Sequence, residues 1–74
     1  MNKYFIFFEL KEDSEYAELN NELARFGAIN ITHNLWCLME KATSAFVVRD
    51  FFSKFISPDD GIIVILAEDS TWKN

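Results

Sequence analysis

The sequence predicts an α+β domain in which two helices cover one face of a four-stranded antiparallel sheet. Three observations carry that expectation. Apolar, β-branched or aromatic runs of strand length occur at four places, two segments between them carry apolar residues at helical spacing, and the order along the chain is strand, helix, strand, strand, helix, strand. The chain has 74 residues, 50% hydrophobic and 16% aromatic, with 12 acidic against 7 basic side chains for a net charge of -5. A chain of that length makes one small domain with a modest core. Its single cysteine, Cys37, has no internal partner for a disulfide, and no cluster of metal-ligand residues is visible, so self-association is the expected supplement to stability.

Each element follows from local chemistry. Tyr4 to Leu10 is the first strand, with Tyr4, Ile6, Phe8 and Leu10 on one face and Phe5, Phe7 and Glu9 on the other. Both faces are mostly apolar, the pattern of a central strand. Asp13 or Ser14 then caps a helix over 14–26, in which Tyr16, Leu19, Leu23 and Phe26 form the buried stripe and Gly27 the stop. Ala28 to Thr32 and Leu35 to Met39 alternate as a hairpin around His33-Asn34. Thr43 or Ser44 caps a second helix from Ala45 to Ile56, striped by Val48, Phe52 and Phe55 and ended by Pro58. Asp59-Asp60-Gly61 turns the chain into a β-branched strand, Gly61 to Ala67. This βαββαβ order is the ferredoxin-like, or split βαβ, arrangement. With both helices on one side, the far face of strands one and four is left apolar and uncovered, so Phe5, Phe7, Ile63 and Ile65, together with Trp72, are expected to form a homodimer interface.

No apolar stretch is long enough for a membrane span or a secretory signal, and the lone thiol fits a cytoplasmic protein with no membrane partner. The acidic balance disfavours attachment to phosphates by bulk charge.

The segment Lys3-Tyr4-Phe5-Ile6-Phe7-Phe8-Glu9-Leu10-Lys11 resembles the first strand of the small CRISPR-associated adaptation-subunit fold. Phe26-Gly27-Ala28, Leu35-Trp36-Cys37-Leu38, Asp59-Asp60-Gly61-Ile62-Ile63-Val64-Ile65 and Trp72 are similar to the SinR-like branch of that superfamily. The resemblance implies a ferredoxin-like homodimer whose protomers meet through their sheets, sometimes with the C-terminal segment crossing to the partner. It further implies a candidate site at Glu9, where some relatives carry an aspartate associated with metal-dependent cleavage of nucleic acid, one from each protomer. Glutamate is one methylene longer, which displaces the carboxylate from the geometry that Mg²⁺ demands.

Three functional expectations follow. The leading one is a non-catalytic binding or assembly module. A second is a divalent-metal nuclease in which Glu9 is catalytic and Glu9, Asp59 and Asp60 hold Mg²⁺ or Mn²⁺; without that activity no cofactor is expected. A third is an acidic inhibitor presenting Glu12, Asp13, Glu15, Glu18 and Glu22 to a protein with a basic, nucleic-acid-binding surface. Against each stands a simpler reading. Glu9 sits near a strand end within reach of Lys11 or Lys3, Asp-Asp-Gly is a common turn, and acidic residues at the start of a helix complement its dipole. His33 is expected at the hairpin tip, and Cys37 as a small buried hydrophobe.

Overall fold

The computed structural model describes residues 1–11, 16–41, 43–69, 71 and 73. Six elements form in the expected order: β1 (Asn2–Glu9), α1 (Ala17–Arg25), β2 (Ile29–Thr32), β3 (Leu35–Glu40), α2 (Ala45–Ser53) and β4 (Gly61–Ala67). The strands make one antiparallel sheet in the order β2-β3-β1-β4, so β1 is central and β4 and β2 are the edges. Among the described residues no helix is long and apolar enough to cross a membrane.

The alternation of β1 decides where the core lies. Tyr4, Ile6 and Phe8 are essentially inaccessible and share one cluster with Leu38 of β3, Leu19 and Leu23 of α1, and Val48 and Phe52 of α2. Burial of large apolar side chains at about 1.5 to 3 kcal/mol each makes this cluster the main source of stability. Trp36, Ile62 and Val64 extend it along the same sheet face.

The helix ends show local chemistry at work. Gly27 takes φ +72° after α1, which lets its N–H reach the Ala24 carbonyl and the Ala28 N–H reach the Leu23 carbonyl, both at 2.9 Å. This paired closure satisfies carbonyls that the helix leaves unpaired and is open to glycine at little steric cost. The expected cap of α1 at Asp13 or Ser14 lies outside the described residues; the helix begins behind Tyr16 with no side-chain cap. At α2 the Ser44 hydroxyl accepts from the Val47 N–H at 3.1 Å, as expected for that position. Ser44→Ala is therefore expected to cost about 1 kcal/mol, read as a lower thermal midpoint, with Ser44→Asp restoring it.

Where the expectation and the structure differ, backbone geometry explains it. The sequence extends the second helix to Ile56, whereas α2 ends at Ser53. Beyond it the N–H groups of Lys54, Phe55 and Ile56 donate to Phe51, Phe52 and Ser53, three residues back. The chain tightens into 3₁₀-type turns, which swing Phe55 and Ile56 onto the core. The hairpin turns at His33, whose φ of 23° lies in the left-handed region; β2 starts one residue later than expected because the Ala28 N–H closes α1, and its register with β3 shifts between Asn30 and Thr32.

Candidate functional site

The sheet face opposite the helices is assembled from alternating residues of all four strands. Pairing places Phe5 between Cys37 and Ile65, Phe7 between Leu35 and Ile63, and Lys3 between Met39 and Ala67, while Ile29 lies beside Cys37. Phe7 is 43% exposed, Ile63 56%, Ile65 55%, Met39 45% and Ile29 53%. Phe5 is half-buried, and Cys37 is sunk between its larger neighbours, its thiol pushed up by burial and drawn down by nearby Lys3. The face thus brings together Phe5, Phe7, Ile63 and Ile65 of the expected interface; Trp72 lies outside the described residues. Sequence reasoning missed Met39 and Ile29. Their faces follow only from the hairpin register, which depends on where the turn falls.

On the other side of the domain the exposed rings of Phe26 and Phe46 and the half-buried ring of Phe51 lie under cations. Arg25 lies over Phe26 at 5.0 Å, Arg49 over Phe46 at 4.5 Å and Lys54 over Phe51 at 4.9 Å, so cationic side chains shield part of each ring. Phe7 has no such contact among the described residues. An apolar cleft of about 260 Å³, lined by Phe26, Leu38, Val48, Phe51 and Phe52 among others, lies near the end of α1.

At the far end of β1, the carboxylates of Glu9 and Asp60 are engaged by groups of their own chain. Glu9 is exposed and pairs with the Lys11 ammonium at 2.8 Å, because residues two apart on an extended chain point the same way. Gly61 is opposite Glu9, close enough that a β-carbon there would sit 3.4 Å from that of Glu9. Asp60 accepts three hydrogen bonds, from the Lys11 N–H at 2.8 Å, the Ser57 N–H at 2.8 Å and the Tyr16 hydroxyl at 3.0 Å. It ties the end of β1, the start of α1 and the turn before β4 together. Asp59 is exposed, its N–H 3.4 Å from the Ser57 hydroxyl. Among the described residues no group of three or more His, Cys, Asp or Glu is arranged to hold a metal ion.

These hydrogen bonds, led by that from Lys11, hold the Asp60 carboxyl below its ordinary value of 3.8. A depressed folded-state pKa stabilises the fold above the unfolded value and ceases to do so as pH falls through the folded one. Asp60→Asn is therefore expected to lower the thermal midpoint at pH 7, and the deficit should shrink as pH falls below about 3.8. Parallel melting curves from pH 7 to pH 2 check this.

Of the acidic surface, Glu18 is exposed in the first turn of α1, and Glu22 is held by Arg25 in a two-point contact at 2.7 and 3.1 Å. Glu12, Asp13 and Glu15 lie outside the described residues. His33 is exposed at the hairpin tip.

No family model matches the chain, and comparisons with curated proteins and with solved structures find no match.

Proposed function

We propose that the chain is a cytoplasmic, ferredoxin-like binding and assembly module that acts as a homodimer through its open sheet face, in the manner of the small CRISPR-associated adaptation subunits it resembles. One observation carries this reading: Phe7, Ile63, Ile65, Met39 and Ile29 expose a contiguous apolar surface over the face that the helices leave free. Water-exposed apolar surface of that kind marks an interaction site.

The ends of β1 favour a second copy of the same chain as the partner. Lys3 and Glu9 lie on this face at opposite ends of the Phe5-Phe7 pair. Two protomers stacked about a two-fold axis with their β1 strands antiparallel set each Lys3 near Glu9 of the other protomer, and a two-fold interface must be self-complementary in this way. Sedimentation equilibrium tests the reading. A dimer mass that falls toward the monomer on dilution is expected, and a monomer mass at every concentration overturns it.

A nuclease role for Glu9 is tested separately. Labelled RNA and duplex DNA incubated with Mg²⁺ or Mn²⁺ should remain intact on the assembly reading. Cleavage that Glu9→Gln abolishes would replace assembly by catalysis. Co-purification with a basic nucleic-acid-binding protein, lost when Glu15 and Glu18 are reversed in charge, would instead establish the acidic surface as the functional one.

A further inference from the structure

The outer edge of β4 is a second unpartnered surface, distinct from the open face. We infer that it pairs with the same edge of a second copy, antiparallel and centred on Val64, to make a continuous eight-stranded sheet.

The backbone phase comes first. The Phe8 N–H donates to the Asn34 carbonyl at 3.0 Å, so Phe8, and with it Ile6 and Tyr4, turns its backbone groups toward β3. The intervening residues Lys3, Phe5, Phe7 and Glu9 then bond to their partners Ala67, Ile65, Ile63 and Gly61 on β4. The backbone N–H and C=O groups of Ile62, Val64 and Leu66 therefore point away from the sheet, and no strand among the described residues lies on that side.

That edge lacks the features that normally keep edge strands from pairing. Gly61–Ala67 contains no charge, no proline and no interruption of its register with β1 over seven residues. The opposite edge, β2, has four residues and a register shift. The two edges are thus unequal, and β4 is the one fitted to accept a strand.

The choice of a second copy rests on symmetry and on side chains. Val64 is the middle residue of β4, so a two-fold axis through it pairs Val64 with Val64 and Ile62 with Leu66 of the other copy, and all three outward-facing residues exchange hydrogen bonds. The same register sets Ile63 opposite Ile65 of the other copy in the closely spaced pairs, covering two of the most exposed apolar residues. On the helix side, Leu66 is 45% exposed, and Phe46, which lines a groove with Val64 and Arg49, is 60% exposed. Both would meet the other copy. Beyond the strand, Asp59 and Asp60 flank one end of β4 and Glu68 and Asp69 the other, so the two-fold axis brings acidic ends of the two copies together, a like-charge contact at each end of the ladder. These groups lie at the solvent-accessible rim, where salt screens them, so the contact weakens the pairing at low ionic strength without abolishing it.

Hydrogen exchange on the full chain, read by NMR, tests the edge without any substitution. The amides of Ile62, Val64 and Leu66 are expected to be protected about 100-fold at high protein concentration and to lose protection on dilution, since they have no backbone partner among the described residues. Exchange of these three at solvent rates while sedimentation shows an oligomer overturns the proposal and leaves the face dimer standing. Protection that appears only on adding a foreign extended peptide overturns the choice of a second copy. Leu66→Pro, which removes an outward N–H and no bond to β1, and Phe46→Glu are each expected to weaken edge association about tenfold or more. Phe7→Lys, on the open face of the central strand, should leave edge association unchanged. Edge association should strengthen with added salt because its ends repel, whereas the face dimer, with Lys3 near Glu9, should weaken. An oligomer that responds to Phe7→Lys and not to either edge variant refutes the edge alone. A monomer under all conditions refutes both contacts.

Discussion

Phe52→Ala is expected to unfold a large fraction of the protein at 37 °C. Phe52 is 2% exposed, and its ring packs edge-on against Phe51 at 5.1 Å and Phe26 at 6.0 Å. Truncating a buried phenylalanine costs about 3 to 5 kcal/mol, transfer and cavity terms together. A chain of this length has a total stability of only about 4 to 11 kcal/mol, so the loss consumes much of the whole. The same substitution removes one of the two α2 rings that pack on Phe26 at the end of α1, the other being Phe51 at 5.3 Å. Urea titration at low protein concentration checks it: the midpoint should fall sharply with little change in slope, while Val47→Ala, at a position 52% exposed, should shift it by less than about 0.5 kcal/mol.

Phe7→Lys is expected to have the second largest effect, on association and not on folding. Phe7 sits on the central strand in the middle of the open face, yet it belongs to no part of the helix-side core. In a face-to-face dimer it would occupy the desolvated centre, and the two-fold axis would bring two introduced ammonium groups close together. Loss of about 2 kcal/mol or more at such a position raises the dissociation constant about thirtyfold. Sedimentation and circular dichroism on the same sample separate the outcomes. A native spectrum with a monomer mass supports the interface, and an unchanged dimer mass removes Phe7 from it.

How much of this was legible in the sequence depends on the range of the forces concerned. Alternation alone separated Tyr4, Ile6 and Phe8 from Phe5 and Phe7, because the period of a strand is a property of the backbone, but with both sets apolar only the packing of the helices shows which set is the core. The capping of α2 by Ser44 was equally local. The shortening of α2 was not: the apolar stripe continues through Phe55, while the backbone of Lys54 to Ile56 has already tightened into turns that pack Phe55 and Ile56 on the core. Asp60 is the clearest case of a role that spacing hides. As Asp-Asp-Gly it reads as turn chemistry or a ligand pair, but its oxygens are engaged by Tyr16, 44 residues away, and by the backbone of Lys11, 49 residues away. Glu9 lies between these cases: its pairing with Lys11 was one of the open readings, and strand geometry favours it.

The irregularity in β2 bears on how far any assembly can grow. A sheet with two equally receptive edges adds copies at both ends and lengthens into a filament. Here the disrupted edge offers an incoming strand no regular row of backbone groups, and the regular edge, once joined to its own likeness about a two-fold axis, is used up. If β4 pairs with its own likeness, the displacement between Asn30 and Thr32 would stop the sheet at β2, so that growth through the sheet edges would end at two copies.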